Sequence, residues 1–170
     1  QLQNLDAQKQ AITIRNILTQ QSGLACNDYD QNSPGNETKI YQTDDWIKSI
    51  LDLPMDGNPG QKPNYCSGNT IVLGGIIERA SKSSLSDFAA KFLFNPLGIR
   101  SFKWDFITDN KHQDDFGQVH LRPRDMAKLG LLYLNHGNWL GEQIIPQEYV
   151  HQSLTKQSVV DGIDYGYLWW

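Results

Sequence analysis

The most apolar stretch of the chain, residues 71–77, constrains the fold more than any other feature. Its isoleucine, valine and leucine side chains suit a helix, yet Gly74 and Gly75 interrupt the run. A glycine inside a helix costs about 1 kcal/mol relative to alanine. The pair is favourable only where another element approaches the backbone closely, so we predict a helix here that packs tightly against a neighbouring helix or strand.

The remaining segments predict short helices separated by polar turns. Capping residues, apolar spacing and helix-ending Gly or Pro indicate further helices at residues 14–18, 46–51, 85–93, 124–135 and 147–150. Dense Asn, Asp, Gly and Pro mark loops at residues 26–37 and 56–62. Alternation predicts one short strand at residues 102–106. About six helices and little strand make a mainly α chain.

Size and charge exclude several classes of protein. The 170 residues suffice for one domain with a core, or for a large piece of a bigger one. The net charge of -4 comes from scattered residues of both signs, with no basic patch, so nucleic acid is not expected as a partner. No apolar run approaches the roughly 18–20 residues of a membrane-spanning helix. The histidines show no metal-ligand spacing, and we predict neither a metal nor another cofactor.

Four motifs follow one another in an order that is typical of one family. Residues 12–24 read ITIRNILTQQSGL, residues 65–67 read YCS and lead into VLGGIIER at 72–79, residues 95–99 read NPLGI, and residues 123–135 read PRDMAKLGLLYLN. In this order they resemble segments of the penicillin-recognising serine hydrolases, the family of class C β-lactamases, penicillin-binding proteins and their esterase and peptidase relatives. Each motif is weak alone, whereas four in order identify the chain as a member.

The resemblance implies a two-part fold, in which a helical region is inserted into an α/β region whose antiparallel sheet is built from the two chain ends. It also implies a site at their junction, with a Ser-x-x-Lys nucleophile motif, a Tyr-x-Asn motif and a Lys-Thr-Gly or His-x-Gly strand. Only the second motif is visible. We therefore expect residues 1–170 to form the central helical part, mainly α with short strands only at its ends. The nucleophile is expected before Gln1 and the third element after Trp170, and both ends of the sequence read as truncations.

Tyr65 is the residue to which the resemblance gives a catalytic role, either in activating the serine or in protonating the leaving group. A free phenol has a pKa of about 10. Neighbouring lysine ammonium groups would favour the phenolate, or would let the hydroxyl relay a proton. The structural alternative is a tyrosine at the edge of the core.

Ser67 stands where the family usually has asparagine. A hydroxyl is shorter than an amide but can still donate and accept, so we expect Ser67 to bind substrate. The departure disfavours efficient β-lactam hydrolysis and favours an esterase, amidase or peptidase. Ser67 can equally serve as the cap of the following helix.

Cys26 and Cys66 are the only cysteines. Two cysteines often pair in an exported protein and usually stay thiols in a cytosolic one. A disulfide would constrain the unfolded chain by roughly 4 kcal/mol on the entropy model. We expect the parent protein to be periplasmic or secreted, although no signal peptide is visible. A disulfide and two separate buried thiols are both compatible with the sequence.

Ser153 and Lys156 satisfy the Ser-x-x-Lys pattern without its context. The chemistry needs the serine at the start of a buried helix, so that the lysine one turn later is desolvated and can act as a base. Polar residues follow here instead, and we interpret the stretch as the polar end of a helix.

The leading functional hypothesis is acyl transfer through a serine acyl-enzyme, with a small-molecule or peptide ester, amide or β-lactam as substrate. The segment by itself should be inactive, because the serine, the lysine and the oxyanion donors lie elsewhere. One alternative is a penicillin-recognising binding protein that is acylated without turnover or has lost catalysis. Another is a stand-alone helical interaction domain.

Overall fold

The computed structural model describes residues 2–105 and 118–170, whose regular secondary structure consists mostly of short helices. The helices are α1 (Ala7–Gln10), α2 (Ile14–Leu18), α3 (Glu37–Ile40), α4 (Trp46–Leu51), α5 (Ser67–Ser81), α6 (Leu85–Ala89), α7 (Pro123–Leu134) and α8 (Gln147–Leu154). The strands are β1 (Phe102–Asp105), β2 (Gln118–Leu121), β3 (Asn138–Trp139), β4 (Glu142–Gln143), β5 (Ser158–Val160) and β6 (Ile163–Tyr165). The prediction of a mainly helical chain with short strands is confirmed. None of the helices in these ranges has the length and apolarity needed to cross a bilayer.

The strands form three separate antiparallel pairs, β1–β2, β3–β4 and β5–β6. In the first pair Phe102 lies opposite Leu121 and Trp104 opposite Val119. The prediction of strands only at the ends of the segment is therefore wrong. The physical reason is that an isolated strand leaves its backbone N–H and C=O groups unpaired, so the strand predicted from residue 102 onward requires a partner in the middle of the chain.

Local capping signals place most helix starts where the sequence predicts them. Thr13 forms a reciprocal capping box with Asn16 at the start of α2. Asp45 and Ser84 accept backbone N–H groups at the starts of α4 and α6, and Pro123 occupies the first turn of α7. Thr13, Asp45 and Ser84 satisfy N–H groups that a helix cannot satisfy itself, whereas Pro123 has no N–H that needs a partner.

Three details differ from the predicted pattern. The helix that begins at Leu85 passes into a π-helical turn, Ala90–Phe94. Phe92 is 51% exposed and Ile14 53% exposed, so neither lies on the buried face on which its spacing places it. The four-residue helices α1 and α3 were not predicted, because four residues are too few to show a helical period.

The described chain divides into two compact units. The first comprises Gln1–Gly75 with Leu154–Trp170, and the second comprises Ile76–Ser153. The first boundary falls inside α5, so this helix contributes residues to both units.

The first unit joins two stretches that are distant in sequence. Its buried apolar residues are Ile17, Leu24, Ile40, Trp46, Ile50, Leu53, Ile71, Val72, Val160, Tyr165 and Tyr167. The Ser158 hydroxyl donates to the carbonyl of Thr19 at 2.8 Å. The Arg15 guanidinium donates to the Tyr167 hydroxyl at 2.7 and 3.0 Å.

The second unit has its own core, formed by Phe94, Leu97, Ile99 and Leu132. The Phe94 ring packs against Phe102, with 4.8 Å between ring centroids. The hairpin β1–β2 and helix α7 therefore pack on the same cluster.

Candidate active site

Tyr65 lies directly before α5, with its ring partly buried between two other aromatic rings. The Tyr29 ring stacks on it at a centroid distance of 5.7 Å and an interplanar angle of 29°. Trp170 lies 5.5 Å away at 36°. Tyr165 meets the Trp170 ring edge-on at 5.0 Å. Offset and edge-on pairs of this kind are favourable, so the Tyr65 ring is held in a fixed plane. Tyr29 and Trp170 are 62% and 53% exposed, which leaves this aromatic stack open to solvent.

The backbone on both sides of Tyr65 is also fixed. The Asp28 N–H donates to the Tyr65 carbonyl at 3.0 Å, and the Asn64 N–H donates to the Gln20 carbonyl at 2.9 Å. The Cys66 N–H donates to the side-chain oxygen of Gln20 at 3.1 Å. Residues 64–66 are thus anchored to the stretch that follows α2.

The Asp28 carboxylate bridges the starts of two helices. One oxygen accepts from the Ser67 N–H at 2.6 Å, at the first residue of α5. The other accepts from the Glu37 N–H at 2.9 Å, at the first residue of α3. Carboxylates are stabilising at helix N-termini, where N–H groups lack partners. Asp28 therefore sets the position of α3 relative to the start of α5.

Ser67 lies beside Tyr65, but its hydroxyl is engaged. The Ser67 hydroxyl donates to a Glu37 carboxylate oxygen at 3.1 Å, and the Tyr41 hydroxyl donates to the same oxygen at 3.3 Å. The structure therefore brings the two predicted site residues together and adds a carboxylate that the sequence analysis did not assign to the site.

The environment of Tyr65 keeps its phenol protonated. Burial raises the pKa of Tyr65, and the nearby carboxylates of Asp28 and Glu37 raise it further, while the hydrogen bond with Ser67 lowers it to a smaller degree. From the sequence we expected neighbouring lysine ammonium groups to favour the phenolate of Tyr65. The charged side chains acting on this pKa within the first unit are carboxylates, which act in the opposite direction.

The Glu37 carboxylate also raises the pKa of a second tyrosine, Tyr41. Burial, followed by the charge and hydrogen bond of Glu37, raises the pKa of Tyr41 to about 12. Both phenols near Glu37 are therefore neutral at pH 7.

Cys26 and Cys66 form a disulfide, with 5.5 Å between their Cα atoms. Both residues are almost fully buried, at 2% and 1% exposure. Of the two alternatives that the sequence leaves open, the structure contains the disulfide. It ties the loop of residues 26–37 to the residue immediately after Tyr65.

Sequence reasoning missed four residues that surround Tyr65, namely Gln20, Asp28, Tyr29 and Glu37. Three of them lie in the stretch predicted only as a polar surface loop. The one local signal was the polar pattern at the end of that loop, where Asn36 caps α3. No periodic pattern marked Gln20 as buried.

The Ser153–Lys156 pattern is not a nucleophile site. Ser153 is 1% exposed, and its hydroxyl donates to the Val150 carbonyl at 2.9 Å inside α8. Lys156 is on the surface and pairs with Asp164 at 2.7 Å. Neither side chain has the environment that an activated serine and a desolvated lysine require.

The polar stretch with His112, Asp114 and Asp115, which the sequence predicts as a solvated loop or a rim of the cleft, lies outside the described residues. Among residues 2–105 and 118–170, no group of three or more His, Cys, Asp or Glu side chains is arranged to hold a metal ion.

This chain is similar to a curated protein and to solved structures that include hydrolases and penicillin-binding proteins. Protein flp of Staphylococcus aureus strain N315 is 28% identical over 114 residues, which is 66% of this chain and 22% of that protein. The penicillin binding protein from Bacillus halodurans superposes with a TM-score of 0.68 at 21% identity, over 96% of this chain and 57% of that one. A D-stereospecific amidohydrolase from Streptomyces sp. gives a TM-score of 0.66 at 16% identity, over 92% of this chain and 55% of that one.

The chain thus spans about a fifth of the length of the curated relatives and a little over half of these two structures. The structural likeness, at these identities, establishes a shared fold. The beta-lactamase family model matches residues 2–170, nearly the whole sequence. The chain therefore belongs to the beta-lactamase family, the penicillin-recognising serine hydrolases.

Proposed function

We propose that the complete protein is a serine hydrolase that transfers the acyl group of an ester, amide or β-lactam to its own serine and then to water. Residues 1–170 would form the helical subdomain and supply Tyr65. The nucleophilic serine and its lysine would come from polypeptide outside these residues. The family match and the greater length of the relatives support this division.

The observation that carries the proposal is the setting of Tyr65, a protonated phenol whose ring contacts the rings of Tyr29 and Trp170, both of which are more than half exposed. A neutral phenol can take the serine proton on its oxygen while it passes its own proton to the leaving group. The bond from serine oxygen to acyl carbon then forms, the bond to the leaving group breaks, and no charge stays on the phenol. Water repeats the sequence in reverse to release the acid.

Ser67 would bind the substrate through the lone pairs that its hydroxyl retains. Its hydroxyl donates to Glu37 and also takes part in a hydrogen bond with Tyr65, and a remaining lone pair would accept, for example from an N–H of the substrate. An amide at this position would donate as well. This difference supports an ester, amide or peptide substrate over a β-lactam.

The proposal is tested on the complete protein with a chromogenic ester and a chromogenic cephalosporin. Tyr65→Phe should lower kcat by about 10²- to 10⁴-fold, the usual contribution of a proton-transferring group, without loss of folding. The matched control is Tyr149→Phe, a tyrosine on α8 that is 41% exposed, which should leave kcat unchanged. Unchanged hydrolysis by Tyr65→Phe would overturn the assignment of Tyr65.

A binding protein is the second candidate, and the engagement of Ser67 with Glu37 favours it. A site that lacks the amide donor can be acylated by a β-lactam and then deacylate slowly. Such a protein would release one equivalent of chromophore from the cephalosporin in a burst and then stop. Continued turnover after the burst would exclude this reading.

We also propose that the segment alone is inactive. Residues 1–170 hold Tyr65 but no serine in the setting of a nucleophile among the described residues, so positioning and oxyanion stabilisation are incomplete. The purified segment should show no hydrolysis above that of buffer. Turnover that is lost in Ser153→Ala would contradict this.

Export of the parent protein is a further part of the proposal. The disulfide supports it, because disulfides persist in oxidising compartments and are rare in the cytosol. Fractionation of the native host should place the protein outside the cytosol, with both cysteines protected from alkylation until a reductant is added. Recovery in the cytosol with both thiols alkylated would contradict it.

A further inference from the structure

We propose that Gln20 is a positioning residue that holds Tyr65 in its reactive orientation. This inference rests on the proposed function, because it concerns the same tyrosine. Nothing in the sequence pattern distinguishes Gln20 from its neighbour Gln21, but the two glutamines differ in their hydrogen-bond partners in the structure.

Gln20 lies just after α2, and both its side chain and its backbone conformation are tightly constrained. Its side chain is 1% exposed, and its backbone has φ +59°. Residues other than glycine seldom adopt this left-handed conformation. The conformation reverses the chain at this point and turns both the carbonyl and the side chain of Gln20 toward residues 64–69.

Three hydrogen bonds to Gln20 bracket Tyr65. The Gln20 carbonyl accepts from the N–H of Asn64 at 2.9 Å. The side-chain oxygen accepts from the N–H of Cys66 at 3.1 Å and from the side-chain nitrogen of Asn69 at 2.7 Å. One residue therefore holds the backbone on both sides of Tyr65 and the first turn of α5.

The Gln20 amide also reaches the aromatic stack. Burial raises the pKa of Tyr165, and the nearby Gln20 side chain lowers it to a smaller degree. The Tyr165 ring packs edge-on against Trp170, a neighbour of the Tyr65 ring. The backbone of Tyr65 and one wall of its ring are thus linked through a single side chain.

Core filling does not explain a glutamine at this position. The side-chain nitrogen of Gln20 and the side-chain oxygen of Asn69 are buried, and neither makes a hydrogen bond of full geometry within the described part of the chain. Buried polar atoms without such bonds destabilise a fold. An apolar side chain of similar volume would remove the Gln20 nitrogen, but it would also leave the N–H of Cys66 and the side-chain nitrogen of Asn69 without their acceptor. The amide is therefore explained by what its oxygen orients, the backbone around Tyr65.

The test compares Gln20→Met with Gln21→Met in the complete protein, with the chromogenic ester as substrate. Methionine keeps the length of the side chain but removes the acceptor oxygen. We expect Gln20→Met to lower kcat at least 10-fold, with KM changed less than 3-fold, and to lower the thermal midpoint, because the N–H of Cys66 and the side-chain nitrogen of Asn69 lose their acceptor. Gln21 donates to the Gly60 carbonyl at 2.9 Å instead, so Gln21→Met should leave kcat unchanged. Gln20→Glu, which keeps an acceptor oxygen, should retain most of the kcat of the unmodified protein.

A double-mutant cycle with Tyr65→Phe separates positioning from general stability. If Gln20 acts through Tyr65, Gln20→Met lowers kcat no further in the Tyr65→Phe background. An equal loss in both backgrounds would overturn the inference, and so would a normal kcat in Gln20→Met. If Gln20→Met does not fold, Gln20→Asn takes its place, because its amide is one methylene too short for the Cys66 N–H. Unchanged hydrolysis by Tyr65→Phe alone would instead overturn the proposed function.

Discussion

At the scale of single residues, the candidate site combines phenols with carboxylates. Tyr65 and Tyr41 both lie near Glu37, and both have a raised pKa. A neutral phenol suits proton relay, whereas a phenolate would require cations that the first unit does not place beside Tyr65. A lysine supplied by the rest of the protein would counteract the raised pKa, so the phenol would titrate closer to its ordinary value in the complete site.

Tyr41 gives a prediction for alkaline stability. Its pKa is about 12 in the folded chain and about 10 in the unfolded chain. Below pH 10 both states keep the proton and the full stability is present. Between these pKa values only the unfolded chain loses the proton, so the free energy of unfolding falls as the pH rises. Urea midpoints measured from about pH 9 to about pH 11.5 should therefore fall less steeply in Tyr41→Phe than in the unmodified protein.

Tyr65 and Tyr165 also have raised pKa values, so part of the alkaline loss remains in Tyr41→Phe. Identical slopes for the unmodified protein and Tyr41→Phe would show that Tyr41 titrates alike in the folded and unfolded states.

At the scale of elements, local signals predicted more than long-range ones. Thr13, Asp45, Ser84 and Pro123 act within one helical turn of themselves, and sequence analysis placed the helices that they begin. Gln20 could not be assigned in the same way, since its role depends on a chain reversal that brings it next to residues 64–69. A contact across more than forty residues leaves no periodic pattern in the sequence.

The candidate site was predictable to the same limited extent. The motif around Tyr65 and Ser67 predicted those two residues by resemblance. Asp28 and Glu37 were hidden in a loop whose composition indicates only turns, because their function as helix-start acceptors depends on α3 and α5 meeting in space. The paired glycines of α5 predicted close packing, and Gly74 is buried. A close approach of other side chains to the helix also occurs six residues earlier, at Gly68.

Replacing a glycine by alanine should change the free energy of unfolding in opposite directions in α5 and in α7. A Cβ at Gly68 would lie 3.0 Å from Ile50 Cγ1 and 3.2 Å from the Cys66 sulfur, and Ile50 is fully buried. A Cβ at Gly130 would meet nothing within 4 Å. Gly68→Ala should lower the free energy of unfolding by about 1–3 kcal/mol through overpacking. Gly130→Ala should raise it by about 0.5–1 kcal/mol through helix propensity. Denaturant unfolding of both variants checks the signs, and a stabilising Gly68→Ala would contradict the packing described for α5.

The disulfide gives a second prediction at this scale. Cys26 and Cys66 are separated by 40 residues, and removing such a link should lower the free energy of unfolding by about 2–5 kcal/mol. Cys26→Ser with Cys66→Ser should show this loss in urea unfolding. The doubly substituted protein should also unfold at the same midpoint with and without reductant. A midpoint unaffected by the substitutions would mean that the link adds nothing to the fold.

At the scale of the whole molecule, the site depends on residues that are far apart in sequence. Its rings come from positions 29, 65 and 170, all within the first compact unit. The hydrogen bonds from Ser158 and to Tyr167 hold the first 75 residues of the chain together with its last 17 residues. Contacts of such long range form late in folding, so the aromatic stack should be among the last features to assemble.

The separate cores of the two units lead to the final prediction. Ile50 in the first unit and Leu132 in the second are both 0% exposed, so alanine at either position should cost about 2–5 kcal/mol. Because each unit buries its own cluster, each loss should appear first in that unit as a sub-global opening. In Leu132→Ala, native-state hydrogen exchange should show faster exchange of the α7 amides, while the amides of residues 64–66 keep their protection. In Ile50→Ala, the amides of residues 64–66 should exchange faster, while those of α7 keep their protection. Helix α5 spans both units, so its amides should respond to both substitutions. Uniform loss of protection in both variants would mean that the two cores unfold as one.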